Sequence, residues 1–265
     1  MGKTAPIVPL GRRNAWGKQM ATRVEAQDAL APRRGYMADQ AFFARYSIFI
    51  ALFIIASFAQ FSLRGFVDIR TVPPIVHAHA AVMMTWLGLF VVQNQLVHRG
   101  QLPLHRTLGW VSAIVVAAVA VLGCAVGYVA LRAHMVPPFF TPGFFLALTW
   151  VEAPAFGAVV AWAVSQRRRT EWHRRLMFGA TLLLLEPALG RLLPMPLLGG
   201  YGEWVALLVQ LGFVGVLARH DRKILGSVHP ATLCAGAILV LVHSAVSLFG
   251  MLPPVNSFAN GIAGA

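Results

Sequence analysis

An all-helical, polytopic membrane bundle of about seven spans, N-terminus cytoplasmic and C-terminus outside, is predicted from three observations. The chain is 58% hydrophobic and only 12% charged, against about 25% charged residues in a soluble domain. It contains seven apolar runs near the roughly 20 residues a helix needs to cross lipid. Its Lys and Arg residues fall almost entirely on alternate connections between those runs.

The runs, in order, are 46–63, 75–97, 107–131, 143–165, 176–194, 203–219 and 231–250. The first follows a basic segment, 1–45, too long and polar to be an ordinary cleaved signal peptide despite the small residues Ala56-Ser57-Phe58-Ala59; it reads as an uncleaved signal anchor. Within the basic segment, Trp16, Met20 and Val24 fall at helical spacing, which suits a short helix on the membrane surface or a disordered tail. The second run opens on His77-Ala78-His79. The third carries Gly123-Cys124-Ala125-Val126-Gly127, a small-xxx-small motif for close helix packing. The fourth and fifth each hold one glutamate with proline close behind, Glu152 with Pro154 and Glu186 with Pro187. The seventh places Thr232, Gly236, His243, Ser247 and Gly250 on one face, so that His243 faces protein. A short outer tail, 251–265, completes the chain.

Orientation follows from charge. The segment through Arg45 and the second, fourth and sixth connections hold every Lys and Arg except Arg64, Arg70, Arg132 and Arg191; positive residues stay inside, so the protein is placed in the bacterial inner membrane as a multi-pass protein. The net charge of +13 is then accounted for by topology and anionic lipid at the cytoplasmic face, with no nucleic-acid partner required. The opposite connections carry Pro73-Pro74, Pro137-Pro138, Pro142, Pro194, Pro196 and Pro253-Pro254, which predicts short, stiff, extended loops. The two cysteines, Cys124 and Cys234, lie in apolar runs and read as packing residues.

The glutamates are the strongest functional signal. A carboxyl in lipid is costly unless paired, neutralised or facing a cavity. The prolines each remove an N–H, leaving carbonyls without a helical partner around Trp150 and Leu183. At about 1.5 Å per residue, Glu152 lies roughly 14 Å below the outer boundary and Glu186 roughly 15 Å above the inner one. His243 lies roughly 18 Å above the inner boundary and His79 roughly 6 Å below the outer one, so the four can line one cavity. His79 shares a face with Met83, Trp86 and Phe90, while His77 points nearly the opposite way.

Four readings fit this set. His79 and His243 can give axial nitrogens to a haem b iron, with Arg191 on a propionate. Glu152, Glu186 and His243 can hold a transition metal. The carboxyls can carry protons or cations in a transporter. Alternatively, they are protonated and hydrogen-bonded, and only specify packing. A second group, His98, His105, His173, His220 and His229, lies on the cytoplasmic side. His105 and His173 occupy matching positions when HRGQLPLHRTLGW (98–110) is aligned with QRRRTEWHRRLMF (166–178). That match suits either an internal repeat of helix hairpins or convergent basic loops, and the pair forms either a further haem or metal site or contacts to lipid phosphate and loop carbonyls. Gln93, Asn94, Gln95 and Gln210 read as residues that satisfy hydrogen bonds across the bundle.

The stretches VHAHAAVMMTWLGLFVVQNQLVHRGQLPLHRTLGW, EWHRRLMFGATLLLLEPALGR and VHPATL resemble a group of uncharacterised bacterial integral membrane proteins across residues 40–250. More remotely, His79 and the LHxxLG-like entry at His105 are similar to b561-type membrane cytochromes, a resemblance that implies haem. Spans four and six hold no core histidine, so this resemblance implies one haem rather than two. The leading expectation is therefore a redox protein passing electrons to a membrane redox partner, with a proton- or cation-coupled transporter and a cofactor-free scaffold or assembly factor as the alternatives. No arrangement for nucleophilic catalysis and no nucleotide-binding glycine loop is present in the sequence.

Overall fold

The computed structural model describes residues 39–264; the basic segment before them, with the surface helix expected around Trp16, Met20 and Val24, lies outside the described residues. Six helices are long and apolar enough to cross a membrane: α1 (Asp39–Leu63), α2 (Pro74–His98), α3 (Leu102–Arg132), α4 (Pro142–Ser165), the stretch Met195–Leu225, and α9 (Pro230–Met251). The protein is an all-helical, multi-pass membrane protein. The remaining apolar run is not one helix but two, α5 (Thr170–Leu183) and α6 (Glu186–Leu192). Met195–Leu225 comprises a single turn, α7 (Met195–Leu198), a 3₁₀ turn and the long α8 (Gly202–Leu225). A last helix, α10 (Pro253–Ala263), follows α9.

Most helices reach a few residues beyond the apolar runs, because polar ends continue the helical hydrogen bonding past the lipid-compatible core. Pro137-Pro138 lies in the connection between α3 and α4 as expected, but other prolines act differently from stiff loops. Pro74, Pro142, Pro230 and the pair Pro253-Pro254 occupy the first positions of helices, where the missing N–H is unneeded and the fixed φ suits helical backbone. The expected short tail is accordingly mostly helix. Pro154 sits inside α4 without ending it.

The helices α4, α5 and α9 pack on one another, with α8 against α9 and α6, and α2 and α3 joined to the bundle through α4. Only 17% of the most apolar stretch of α2 and 22% of that of α3 is buried, against 44% for α1 and α4, so α2 and α3 form the exposed rim of the bundle, with Trp110, Ile114 and Val121 turned outward. Small residues bring the backbones together, as the packing motif predicts. A Cβ on Gly123 would meet the Ala153 methyl at 2.7 Å, one on Gly127 would overlap Thr149, and one on Gly250 would lie 2.9 Å from the Phe144 Cα. The core between them is aromatic and aliphatic: Trp86 meets Phe156 edge-on at 5.0 Å, and Phe178 is met edge-on by Phe90 at 4.8 Å and by Phe43 at 5.2 Å. Tyr46 of α1 donates to the Phe213 carbonyl of α8 at 2.8 Å.

Candidate functional site

The site is built around the break between α5 and α6. Pro187 has no N–H to offer the Leu183 carbonyl. Before it, Leu184 and Leu185 tighten onto the Thr181 and Leu182 carbonyls at 3.2 Å, and helical bonding resumes with the Leu189 N–H on the Leu185 carbonyl at 2.8 Å. Leu182, Leu183 and Leu185 are fully buried, so water cannot compensate the freed Leu183 carbonyl. A side chain does so. The Gln210 amide of α8, itself fully buried, donates through Nε2 to the Leu182 carbonyl at 3.0 Å and the Leu183 carbonyl at 3.5 Å. The expected orphan at Leu183 is real, and its partner is a residue that the sequence presented as an ordinary polar wall.

Restarting the helix at residue 186 aims Glu186, 1% exposed, into the space between α4, α8 and α9. There it lies close enough to Glu203, in the first turn of α8, to interact with it electrostatically. Glu152 of α4, also buried, lies close enough to interact electrostatically with both. Glu152 Oε1, Glu186 Oε2 and both Glu203 oxygens have no hydrogen-bond donor. Ionised carboxylates only accept hydrogen bonds, so two of these glutamates can bond to each other only when one of them carries a proton.

Two further groups border this trio. His243 of α9 has its Nε2 2.7 Å from Gln210 Oε1 and its Nδ1 3.9 Å from Glu203 Oε2. Arg191 of α6 donates to the Pro187 carbonyl at 2.7 Å, and its guanidinium lies over Phe58 of α1 at 4.3 Å. The Arg191 carbonyl accepts from Gln60 of α1 at 2.9 Å, which ties the second half of the broken helix to α1.

Of the residues singled out in the sequence, Glu152, Glu186, Arg191 and His243 converge here. His79 lies at the margin, in the seam where Gly123 meets Ala153, with a buried Nδ1 that has no partner. Axial ligation of a haem through His243 would require Gln210 or Glu203 to be displaced from it. Among the described residues, no three His, Cys, Asp or Glu side chains are arranged to hold a metal ion. Two grooves near the α9–α10 end, of about 280 and 240 Å³, are lined by residues such as Trp150, Phe249 and Phe258, and Leu131, His134 and Pro138, and border neither His79 nor His243.

The basic end of the bundle is organised by ion pairs. The Arg175 guanidinium donates through Nε and Nη2 to Asp221 Oδ1 at 2.9 and 2.5 Å, while Asp221 Oδ2 accepts from Thr232 Oγ1 at 2.5 Å and from the His229 N–H at 3.1 Å. Asp39 pairs with Arg174 and with His220 Nε2, whose ring stacks on Phe42 at 3.7 Å. His105 and His173 do come together, their rings 6.5 Å apart and nearly perpendicular, but His173 Nδ1 is bonded to the Ala163 carbonyl at 2.8 Å. Burial holds the His173 imidazole below the ordinary histidine range, with the Ala163 carbonyl opposing it. Burial, then the Arg175 charge, does the same at His229.

Glu203 and Asp221 have no role in the sequence pattern, whereas Gln210 does what the sequence expects of it and satisfies hydrogen bonds across the bundle. Glu203 opens an apolar run immediately after Gly199-Gly200-Tyr201-Gly202, where a carboxyl reads as a solvated loop residue. One signal was available: few of the nine acidic residues lie beside an apolar run, and each of those was a candidate partner for another. No protein-family model, curated protein or solved structure matches the chain.

Proposed function

We propose that this is a seven-span bacterial inner-membrane protein, N-terminus cytoplasmic, that carries protons through the Glu152, Glu186 and Glu203 cluster as a proton- or cation-coupled transporter. In this topology α5 and α6 together make the fifth crossing, and the basic end faces the cytoplasm and anionic lipid by the positive-inside rule. The observation that carries the reading is that Glu152, Glu186 and Glu203 keep buried carboxyl oxygens without a hydrogen-bond partner beside a broken helix. Neighbouring buried carboxyls hold a proton more readily than none, and losing or gaining that proton changes the charge of a buried site, which is the working step of a proton carrier. Discontinuous helices recur at transporter ion sites because their freed backbone groups line the cavity.

The redox reading keeps one supporting observation, the partnerless buried Nδ1 of His79, and a visible spectrum of the reduced purified protein addresses it directly. The transport reading is tested in proteoliposomes containing a pH-sensitive dye, with a potassium diffusion potential imposed. Wild-type protein should admit protons faster than Glu186→Gln protein, and a carbodiimide that reacts with protonated carboxyls should block the wild type. Equal proton entry with wild type, Glu186→Gln and protein-free liposomes would refute it.

A further inference from the structure

The Leu183 carbonyl freed by the helix break, with its neighbour Leu182, fixes more than the backbone. Gln210 has one amide oxygen and one NH₂. Its nitrogen faces the Leu182 and Leu183 carbonyl oxygens at 3.0 and 3.5 Å. The reverse orientation would set oxygen against two oxygens in a fully buried site, so the amide has one acceptable setting. Its Oε1 is then turned to His243 Nε2 at 2.7 Å. An amide oxygen only accepts, so the imidazole proton must sit on Nε2. In the neutral ring this leaves a lone pair on Nδ1, and Nδ1 is the nitrogen that faces Glu203 at 3.9 Å.

We infer that Gln210 is a positioning residue that locks His243 in its Nε2–H tautomer, aiming the Nδ1 lone pair at the Glu186/Glu203 pair so that His243 accepts the proton the two carboxyls share. The proton-accepting role rests on the transport reading above; the tautomer does not. In the transfer, the Glu203 O–H bond breaks and a His243 Nδ1–H bond forms, giving a carboxylate and an imidazolium that still donates through Nε2 to Gln210. The 3.9 Å gap exceeds the roughly 2.6–3.2 Å needed for direct transfer, so the step requires a rotation of Glu203 or one bridging water. The charged and titratable groups bordering this path are Glu152 from α4, Glu186 and Arg191 from α6, and Glu203 from α8.

The helix break thereby does two jobs through one side chain. Without Pro187 the Leu183 carbonyl would bond within its own helix, the Gln210 amide would be less constrained, and either tautomer of His243 would be available. The sequence separates these residues widely, so the coupling is visible only once α5, α8 and α9 are assembled.

The test is ¹⁵N NMR of histidine-labelled protein in nanodiscs near neutral pH, with His243 identified by its through-space contact to the Gln210 amide, alongside the proteoliposome assay. Wild type should show Nε2 protonated and Nδ1 unprotonated. Gln210→Met, close in volume and helix-compatible, should move the proton to Nδ1 or mix the tautomers, and should slow proton entry by about 10²-fold, the lower end of what a positioned proton acceptor supplies. A wild-type His243 protonated on Nδ1, or an identical tautomer in wild type and Gln210→Met, would overturn the inference. The wild-type spectrum alone decides the first point if the variant does not fold. Absent proton entry in wild type with the Nε2–H tautomer present would overturn the transport reading and the transfer step, and leave the positioning role standing.

Discussion

Truncating Asp221 to alanine should remove much of the stability of the basic end, by an amount the hydrogen bonds set. Arg175 and Asp221 are each 1% exposed, so solvent screening is negligible. Breaking a buried pair by removing one partner costs about 3–5 kcal/mol, because the other charge stays buried. Arg175 would keep the Glu171 carbonyl at 3.2 Å and the Phe43 ring at 5.6 Å. The Thr232 hydroxyl and the His229 N–H would each lose an acceptor, at about 1 kcal/mol apiece. The sum, about 5–7 kcal/mol, is an upper bound because neighbouring terms do not add, yet it is comparable with the whole stability of many domains, about 5–15 kcal/mol. Removing both charges, as Arg175→Met with Asp221→Leu, should recover most of the loss, since apolar replacements of a buried pair are often close to neutral. Equilibrium unfolding in mixed detergent micelles, followed by tryptophan fluorescence, measures all three proteins. Asp221→Ala within 1 kcal/mol of wild type (a threshold set by the spread of ordinary surface substitutions), or a double variant no better than the single, would refute the reasoning.

Gly250→Ala should cost about 1–3 kcal/mol in the same assay, because the new methyl would lie 2.9 Å from the Phe144 Cα, where backbone and not a flexible side chain must yield. Acidification should destabilise the protein through His173 and His229: with both held low in the fold by burial, the unfolded chain binds their protons first, so stability is full above the unfolded value near ~6.5 and falls as pH drops from there through the lower folded values. His173→Asn, which keeps a donor toward the Ala163 carbonyl, should flatten that slope, and an unchanged slope would count against the assignment. Should the redox reading hold, the reduced protein will show the sharp visible bands of haem b, and His79→Ala will abolish them; a colourless, metal-free protein expressed with haem available removes it.

The legible part of the site was the part written as contradiction. Glu152 and Glu186 stand out because carboxyls interrupt apolar runs, and His243 because its face is otherwise small residues. Glu203 carries the same chemistry but sits where a run begins, so its burial depends on how the chain packs after Tyr201 and no local pattern reports it. Gln210 looked interchangeable with Gln95, which donates to the Ala44 carbonyl of α1 at 2.9 Å; only the neighbouring break distinguishes them. Pro187 ends α5 and Pro154 does not end α4, a difference fixed by tertiary partners and not by proline itself. The spans were readable to within a few residues where hydropathy governs, and the loops were not, because proline before a helix and proline in a stiff loop share one sequence signature.

The last helix has a consequence for how the molecule is made. Asn256 of α10 lies against Gly143 at the start of α4, and Ala259 and Ile262 close over Leu131 and Leu146. Those partners are synthesised long before α10 exists. During translation the ends of α3 and α4 therefore wait with an open apolar seam, and the helix that seals it arrives only after α5 to α9 have been made. The nascent chain must keep that seam unoccupied, by lipid or by its neighbours, until α10 docks.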